Sequence, residues 1–316
     1  MTLPLVVINP TSAGGATGKA WPQLASDLRA HFGPFACAFT GEPGDAQRIA
    51  AREAQAGRRF IIACGGDGTI SEVANGILEA GADAELGVLP SGTGGDFRRT
   101  LRLPARAADV AAALRNGHTQ LLDVGRAEYI NHAGANEVRY FLNVASCGMG
   151  GEVVRRVKGE LDSWLPQGAA RVLGGKASFA AAALQTTLSF KKPSLRVQLD
   201  DRAERRLTVA NLCVANARFF GGGMKIAPEA KLNDGLFDVV ALGDLDTTTI
   251  LTNVYKLYLG THLGMQQVHH AHATRVTVRA AAESVTVTLE VDGELVGKLP
   301  ASFAIRPGAL RVRVPA

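Results

Sequence analysis

The sequence predicts an α/β N-terminal domain, with a parallel sheet and helices on both of its faces, followed by a β-rich, sandwich-like second domain. Three observations carry that prediction. The first third alternates strand-sized apolar runs with segments of helical period. Glycine-rich turns follow two of these strands directly, at the rim where open α/β sheets bind ligands. Beyond about residue 122 several segments switch to period-two alternation. The domains are therefore placed at 1–122 and 123–316, with the last strand free to return to the first domain.

In chain order, "LPLVVINP" (3–10) reads as a buried strand ending in a turn, and "WPQLASDLRAHF" (21–32) as a helix with Leu24, Leu28 and Phe32 at helical spacing. A short strand at "FACAFT" (35–40) precedes a helix through "DAQRIAAREAQAG" (45–57), the strand "RFIIAC" (59–64) and the helix "TISEVANGILEAG" (69–81). The strand "ELGVLP" (85–90) enters a second glycine-rich turn, and "RAADVAAALRNG" (106–117) is helical. Repeated β-α units imply a parallel sheet covered by helices on both faces.

In the second half, "RYFLNVASCG" (139–148), "LRVQLD" (195–200), "RLTVANLCVAN" (206–216), "LFDVVAL" (236–242), "TRVTVRA" (274–280), "SVTVTLEVDG" (284–293) and "ALRVRV" (309–314) read as strands. Val285, Val287, Leu289 and Val291 are predicted to share one face. Two helical interludes interrupt them, at about 151–188 and 247–263.

Composition bounds the function. With 47% hydrophobic and 20% charged residues, the chain reads as globular, not disordered. No stretch approaches the roughly 18 uncharged apolar residues that a membrane span needs. "MTLPLVVINP" lacks the basic start and cleavage site of a secretory signal, and Cys37, Cys64, Cys147 and Cys213 lack metal-site or disulfide spacing, so reduced thiols in the cytoplasm are expected. A net charge of +5 favours an anionic partner. "RRVK" (155–158) and "FKK" (190–192) read as solvated basic faces, or more sharply as a surface that visits anionic lipid headgroups.

The chemistry is concentrated in "CGGDGT" (64–69) and "LPSGTGGDF" (89–97). Glycines let successive backbone N–H groups approach an anion, which accounts for the glycines but not for Asp67. A carboxylate among them would repel phosphate unless a divalent cation lay between, as Mg²⁺ does with carboxylates and phosphate oxygens. Asp67 could instead tie down its own turn. Asp96 in the second loop repeats the pattern and favours the cation reading. "GGATGKA" (14–20) departs from a P-loop at Ala13 and Ala20, and "GTGGDF" is not a dinucleotide fingerprint.

The set "NPTSAGG" (9–15), "CGGDGTISEVANGI" (64–77) and "LPSGTGGDFRRTL" (89–101) resembles the diacylglycerol kinase catalytic family, with its sphingosine kinase relatives and bacterial lipid kinases. "GGDGT" alone is shared with NAD kinases and phosphofructokinases. "VANARFFGGGMKIAPEAKLNDGLFDVV" (214–240) is more specific to lipid kinases, and "VDGE" (291–294) completes the order.

The resemblance implies an ATP-dependent kinase that phosphorylates a lipid hydroxyl, with diacylglycerol as the default acceptor. A sphingoid, monoacylglycerol or phosphatidylglycerol-like acceptor, an NAD-kinase-like enzyme and a non-catalytic sensor stay open. It implies nucleotide contacts at Asn9, Ser12, Gly65, Gly66, Asp67, Gly68, Thr69 and Thr93, and an acidic network of Asp67, Asp96 and Asp123 holding Mg²⁺. It implies a separate structural cation site from Asp234 and the carbonyls of Lys231 and Leu236. Asp292 matches the family's general base, although Asp-Gly is also a strong turn dipeptide, and Glu294 is its rival. The family commonly has asparagine where this chain has Gly95, which removes an amide and could weaken the enzyme.

A groove for acyl chains is expected from "ASFAAAALQTTLSF" (177–190) with Trp164, Leu165, Phe219 and Phe220. The implied partners are ATP, a lipid with a free hydroxyl and, peripherally, an anionic membrane surface, with no nucleic acid. Oligomeric state is open, a homodimer included. "VHHAHA" (268–273) looks metal-like, but with no nearby cysteine or carboxylate partner it reads as exposed loop before a strand, with metal binding the alternative.

Overall fold

A computed structural model of the chain describes residues 2–92, 94–159 and 190–316, the side chains of 156–159 excepted. The chain divides into two compact units, one of Met1–Val124, Leu232–Asp234 and Arg306–Ala316, the other of Gly125–Lys231 and Gly235–Ile305.

The first unit holds β1 (Leu5–Ile8), β2 (Ala36–Phe39), β3 (Phe60–Gly65), β4 (Glu85–Pro90) and the far end of β15 (Glu294–Val314). Its helices are α1 (Ala16–His31), α2 (Asp45–Gln55), α3 (Asp67–Ala80), α4 (Asp96–Thr100) and α5 (Ala107–Asn116). The strand order is β2-β1-β3-β4-β15, parallel throughout. The chain leaves β1 for β2 on one side and returns to β3 on the other. The carboxyl ends of β1 and β3 therefore flank a topological switch point.

Both faces of this sheet are buried, which is why its strands carry apolar residues at successive positions. Val6, Ile8, Ile62, Cys64 and Leu89 pack under Leu28 of α1 and Val110, Ala111 and Leu114 of α5. Helices α2 and α3 pair closely, because a Cβ on Gly76 of α3 would stand 2.3 Å from the Gln47 carbonyl oxygen. The first helix starts at Ala16, earlier than the sequence suggested, and carries Pro22 inside it. The expectation had set Pro22 near the helix start, where its missing N–H costs nothing.

The second unit contains the rest of β5 (His118–Asn131), β6 (Asn136–Phe141), β7 (Val144–Gly148), β8 (Ser194–Leu199), β9 (Arg205–Thr208), β10 (Asn211–Ala215), β11 (Phe237–Leu242), β12 (Val268–Ala273), β13 (Arg275–Ala280), β14 (Thr288–Val291) and the start of β15. Among its described residues are the α-helices α6 (Met149–Gly159) and α7 (Thr247–Leu259). One layer runs β12-β11-β10-β7-β14-β15, while β5, β6, β8, β9 and β13 form pairs that branch from β15. The core between the layers joins Leu212, Val239 and Leu289 to Leu195, Val276 and Phe303. Phe141 stacks on Phe237 at 5.7 Å and meets Phe303 edge-on at 6.3 Å. On the outer side, Val240, Leu242 and Val268 pack with Ile226 and Ala227, and with Ile250 and Leu257 of α7. No helix among the described residues is long and apolar enough to cross a membrane.

Three sequence expectations change, besides the division of "RLTVANLCVAN" into β9 and β10. "RYFLNVASCG" is two strands, broken at Leu142 and Asn143, whose amides turn away to the carboxylate of Asp292. The "SVTVT" alternation does not extend β14 back to Val285, which lies at the end of a turn closed by its N–H to the Ala282 carbonyl and is exposed. "VHHAHA" is not a loop but β12, paired along its length with β11.

Candidate active site

Three loops leave the carboxyl ends of β1, β3 and β4 in the first unit, and their own side chains and backbone lock them together. Asn9 donates from Nδ2 to the buried Thr69 hydroxyl at 3.1 Å and accepts the Thr11 amide on Oδ1 at 3.1 Å. The Ser12 hydroxyl accepts the Gly66 amide at 2.9 Å. Thr17, fully buried on α1, donates to the Ser91 carbonyl at 2.6 Å. Nothing in the local sequence around Thr17 and Ser91 marked them out, because their contact joins loops 74 residues apart.

The glycines serve this convergence. A Cβ on Gly92 would stand 2.6 Å from the Gly66 Cα, and one on Gly94 would stand 2.6 Å from Asp67 Oδ2. A Cβ on Gly65 would meet the Thr69 hydroxyl at 2.5 Å. Gly68 occupies the first turn of α3, whose N-terminus at Gly66 carries no side-chain cap. The first amides of a helix have no intrahelical acceptor, so this terminus presents free donors and the positive end of its dipole to the loops.

Asp67 ties down neither its own turn nor a neighbouring carboxylate. Its Oδ2 accepts the Asp96 amide and its Oδ1 the Phe97 amide, each at 3.2 Å, so it caps the short helix α4 from the adjacent loop. Asp96, buried, accepts Arg99 Nη1 at 2.9 Å. Asp123 accepts the Gly308 amide at 2.8 Å, and its own amide donates to the Leu232 carbonyl at 2.6 Å. Asp67, Asp96 and Asp123 do not form a group with one oxygen from each within 4.8 Å of the others. Their hydrogen bonds hold each in a separate place. Thr93 lies outside the described residues.

Gly95 has φ of 66°, in the left-handed region, and precedes α4 as its N-cap. Asparagine is the non-glycine residue that tolerates this conformation best. The backbone at this position is thus one that either residue can adopt.

Lys231, Asp234 and Leu236 sit on the turn that leads into β11, with Lys231 and Asp234 exposed. The Leu232 carbonyl in the middle of this turn is the acceptor for Asp123 N, which joins the turn to the end of the first unit's chain.

In the second unit, Asp292 and Gly293 form the two-residue connection between β14 and β15, with φ of 49° and 84°. Positive φ at both positions is what a type I′ hairpin demands, so Asp292 is a turn residue in backbone terms. Its side chain does something further. Oδ2 accepts the Leu142 amide at 2.9 Å, and Oδ1 accepts those of Asn143 at 2.9 Å and Val144 at 3.2 Å. Burial pushes the carboxyl up to about 6, against the opposing pull of these amides and of Arg139. The Asn143 side-chain oxygen beside this nest is buried with no hydrogen-bond partner. Glu294 is neutralised by Arg139 Nη2 at 2.9 Å. Glu290 accepts the Ser146 hydroxyl at 2.5 Å and the Gly293 amide, fixing the hairpin from below. The amides of Leu142 to Val144 could not be read from sequence, since they act through the break in a strand.

Of the residues expected to line an acyl groove, Phe219 and Phe220 are among those described. Phe220 packs on the outer core of the second unit and exchanges backbone hydrogen bonds with Met224 across Gly221, Gly222 and Gly223, all at positive φ. Phe219 is half-buried. Trp164 and Leu165 lie outside the described residues, as does all of 177–190 except Phe190. Phe190 lines a cavity of about 270 Å³ with Met149, Ala210, Leu245 and Ile250. Lys192 at its edge pairs with Asp244 at 2.6 Å, and Arg155 pairs with Glu152, so both basic runs are partly neutralised. Along α7, Leu251, Val254, Tyr255, Tyr258 and Leu259 form an exposed apolar stripe at helical spacing.

Residues 4–127 match the profile of the diacylglycerol kinase catalytic domain, and residues 166–314 match that of the YegS C-terminal NAD kinase beta sandwich-like domain. A diacylglycerol kinase of Staphylococcus haemolyticus is 30% identical over 302 residues, covering 94% of this chain and 84% of the relative. A Pseudomonas aeruginosa protein described as a "probable lipid kinase YegS-like" is 32% identical over 283 residues, covering 89% of this chain and 85% of the relative. Among solved structures, a diacylglycerol kinase from Bacillus anthracis superposes with a TM-score of 0.69 at 19% identity, covering 99% of this chain and 96% of that one.

Proposed function

The chain belongs to the diacylglycerol kinase family of lipid kinases, and from that premise we propose that it transfers the γ-phosphoryl group of ATP to a lipid hydroxyl, with diacylglycerol as acceptor and phosphatidic acid as product. One observation supports this above the others. Three loops at one rim of a parallel sheet are cross-tied, so that their glycine backbone and the uncapped start of α3 are held together.

Phosphoryl transfer asks a protein for positioning and charge neutralisation more than for covalent chemistry. Gly65, Gly66, Gly68 and the hydroxyls of Ser12, Thr69 and Thr93, with Asn9, would orient the nucleotide. The donor set fits Mg²⁺ bound largely through water: Asp67, Asp96 and Asp123 supply carboxylate oxygens in the same unit but do not converge as three direct ligands. There the ion would neutralise phosphate charge. Asp234, with the carbonyls of Lys231 and Leu236, would hold a second, structural cation on an exposed turn.

Asp292 would accept the hydroxyl proton. A base works best with a pKa near the working pH, and burial supplies that shift here. The three amides fix the direction of the carboxylate without protonating it. Glu294, engaged by Arg139, is the weaker candidate. Phe190, Phe219 and Phe220, with Trp164 and Leu165, would line the path of the acyl chains. The exposed stripe of α7 supports peripheral contact with an anionic membrane surface, since an amphipathic helix can lay such a face into the headgroup boundary. A cytoplasmic enzyme that visits the membrane follows from this reading.

The test is incubation of the purified chain with labelled ATP, Mg²⁺ and a total lipid extract, followed by identification of the labelled lipid. Labelled phosphatidic acid is the expected product. Labelling of a different lipid would move the acceptor while keeping the chemistry. Transfer to NAD with no lipid labelled would overturn the proposal.

A further inference from the structure

Two histidines of β12 and one aspartate of β11 meet on the outer face of the second unit's sheet, apart from every group used above. The antiparallel register puts Asp238 directly opposite His272 and Val240 opposite His270. Side chains two apart on a strand share a face, so His270 and His272 both stand beside Asp238. Asp238 Oδ1 lies 2.8 Å from His270 Nε2 and 3.5 Å from His272 Nε2. One donor atom from each residue falls within 4.8 Å of the others, and theirs is the one such trio of His, Cys, Asp or Glu among the described residues.

We propose that Asp238, His270 and His272 bind a first-row transition-metal ion of the zinc type. The chemistry of the donors selects the ion: imidazole nitrogens suit Zn²⁺ and its neighbours, whereas Mg²⁺ and Ca²⁺ take oxygen. The spacing suits it too. Ligands about 2.0–2.2 Å from a tetrahedral Zn²⁺ stand roughly 3.3–3.6 Å from one another; the 3.5 Å from Asp238 to His272 falls in that range, and the 2.8 Å hydrogen bond to His270 would open to admit the ion. The His270 and His272 ring centroids are 4.9 Å apart, with their planes at 75°.

Burial completes the argument. Asp238 is 3% exposed and hydrogen-bonded to His270; a carboxylate held that far from water must be paired, a role the ion would take over from the imidazole. The His272 side chain is 51% exposed, which leaves an entry path and room for water as a fourth ligand. The ion would join β12, the last strand in its layer, to β11, and would stabilise that edge.

The experiment titrates Zn²⁺ into chelator-treated full-length protein by calorimetry, with excess Mg²⁺ present throughout. One Zn²⁺ per chain is expected, with a rise in melting temperature. The surface variant His272→Ala should weaken binding by ~10-fold or more, and His270→Ala/His272→Ala should abolish it. His269→Gln, on the opposite face of β12, should bind as the parent does. Co²⁺ in place of Zn²⁺ should give the intense visible absorption of a tetrahedral ion, lost in His272→Ala, which also serves if the double variant does not fold. Unchanged stoichiometry and affinity in His272→Ala, or no Zn²⁺ binding above that of Mg²⁺, would overturn the proposal.

Discussion

The carboxylate of Asp67 holds the amides of Asp96 and Phe97, each at 3.2 Å, so the aspartate of one glycine loop caps the helix that begins at the aspartate of the next. A residue that sequence presents as a metal ligand is thus also the latch between two loops. Asp67→Ala should cost about 1–3 kcal/mol of stability, from two backbone donors left without their charged acceptor. It should lower kcat by on the order of 100-fold through misplacement of the loops. Chemical denaturation and a labelled-ATP assay, run in parallel, check the two halves. A stable and fully active Asp67→Ala would contradict both roles.

Close approach of the loops predicts opposite outcomes at two glycines. Gly92→Ala would bring a Cβ to 2.6 Å from the Gly66 Cα, backbone against backbone, and is expected to cost about 1–3 kcal/mol and to raise the KM for ATP. Gly95→Asn introduces the residue expected from the family resemblance, at φ of 66°, where a Cβ would stand 3.4 Å from Arg98 Nε. Full or increased turnover is expected for it, with a small fall in melting temperature from the left-handed backbone.

For Asp292 the pH dependence has a definite sign. The folded chain keeps this proton up to about 6, above the ordinary value of 3.8, so folding binds the proton more tightly than the unfolded chain does. Stability from this group is therefore greatest at low pH and falls as pH rises through that interval. Turnover should run the other way, rising through about 6 as the carboxylate form becomes available. Asp292→Asn should reduce kcat by roughly 10²–10⁴-fold and leave Mg²⁺-dependent nucleotide binding in place. Glu294→Gln should retain most activity; the reverse ranking of the two variants would reassign the base.

The stripe on α7 predicts how the enzyme meets its substrate. Leu251→Asp/Leu259→Asp puts two charges on the exposed face, where Leu259 is 62% accessible, away from the packed Ile250 and Leu257. Sedimentation with anionic vesicles should fall by about 10-fold or more, and turnover of vesicle-borne lipid should fall with it. The deficit should shrink when a short-chain acceptor is supplied in solution.

The α/β character of the first unit was legible because each of its strands is an apolar run between turn residues, and each helix between them shows its period locally. The position of the glycine loops was legible for the same reason: "GGDGT" and "SGTGGD" each sit at the end of such a strand. What the sequence did not disclose were contacts made across distance. The sequence presents Asp67 only as a candidate cation ligand; its second task, holding the Asp96 and Phe97 amides, appears only in the fold. The "VHHAHA" segment lacks an acidic neighbour in sequence, and its carboxylate comes from Asp238, 32 residues from His270, through strand register. The turn at Asp292 was legible from the Asp-Gly pair, whereas the three amides that its side chain accepts come from a strand break about 150 residues away.

The first unit is not contiguous in the chain: its sheet takes Arg311 and Val312 of β15 alongside Glu85 and Leu86 of β4. During synthesis on the ribosome, β4 must wait with a bare edge until residues 306–316 have been made. Unpaired edges invite adhesion between nascent chains, so early release or truncation before this segment should send the protein to aggregates and not to a free-standing nucleotide-binding half.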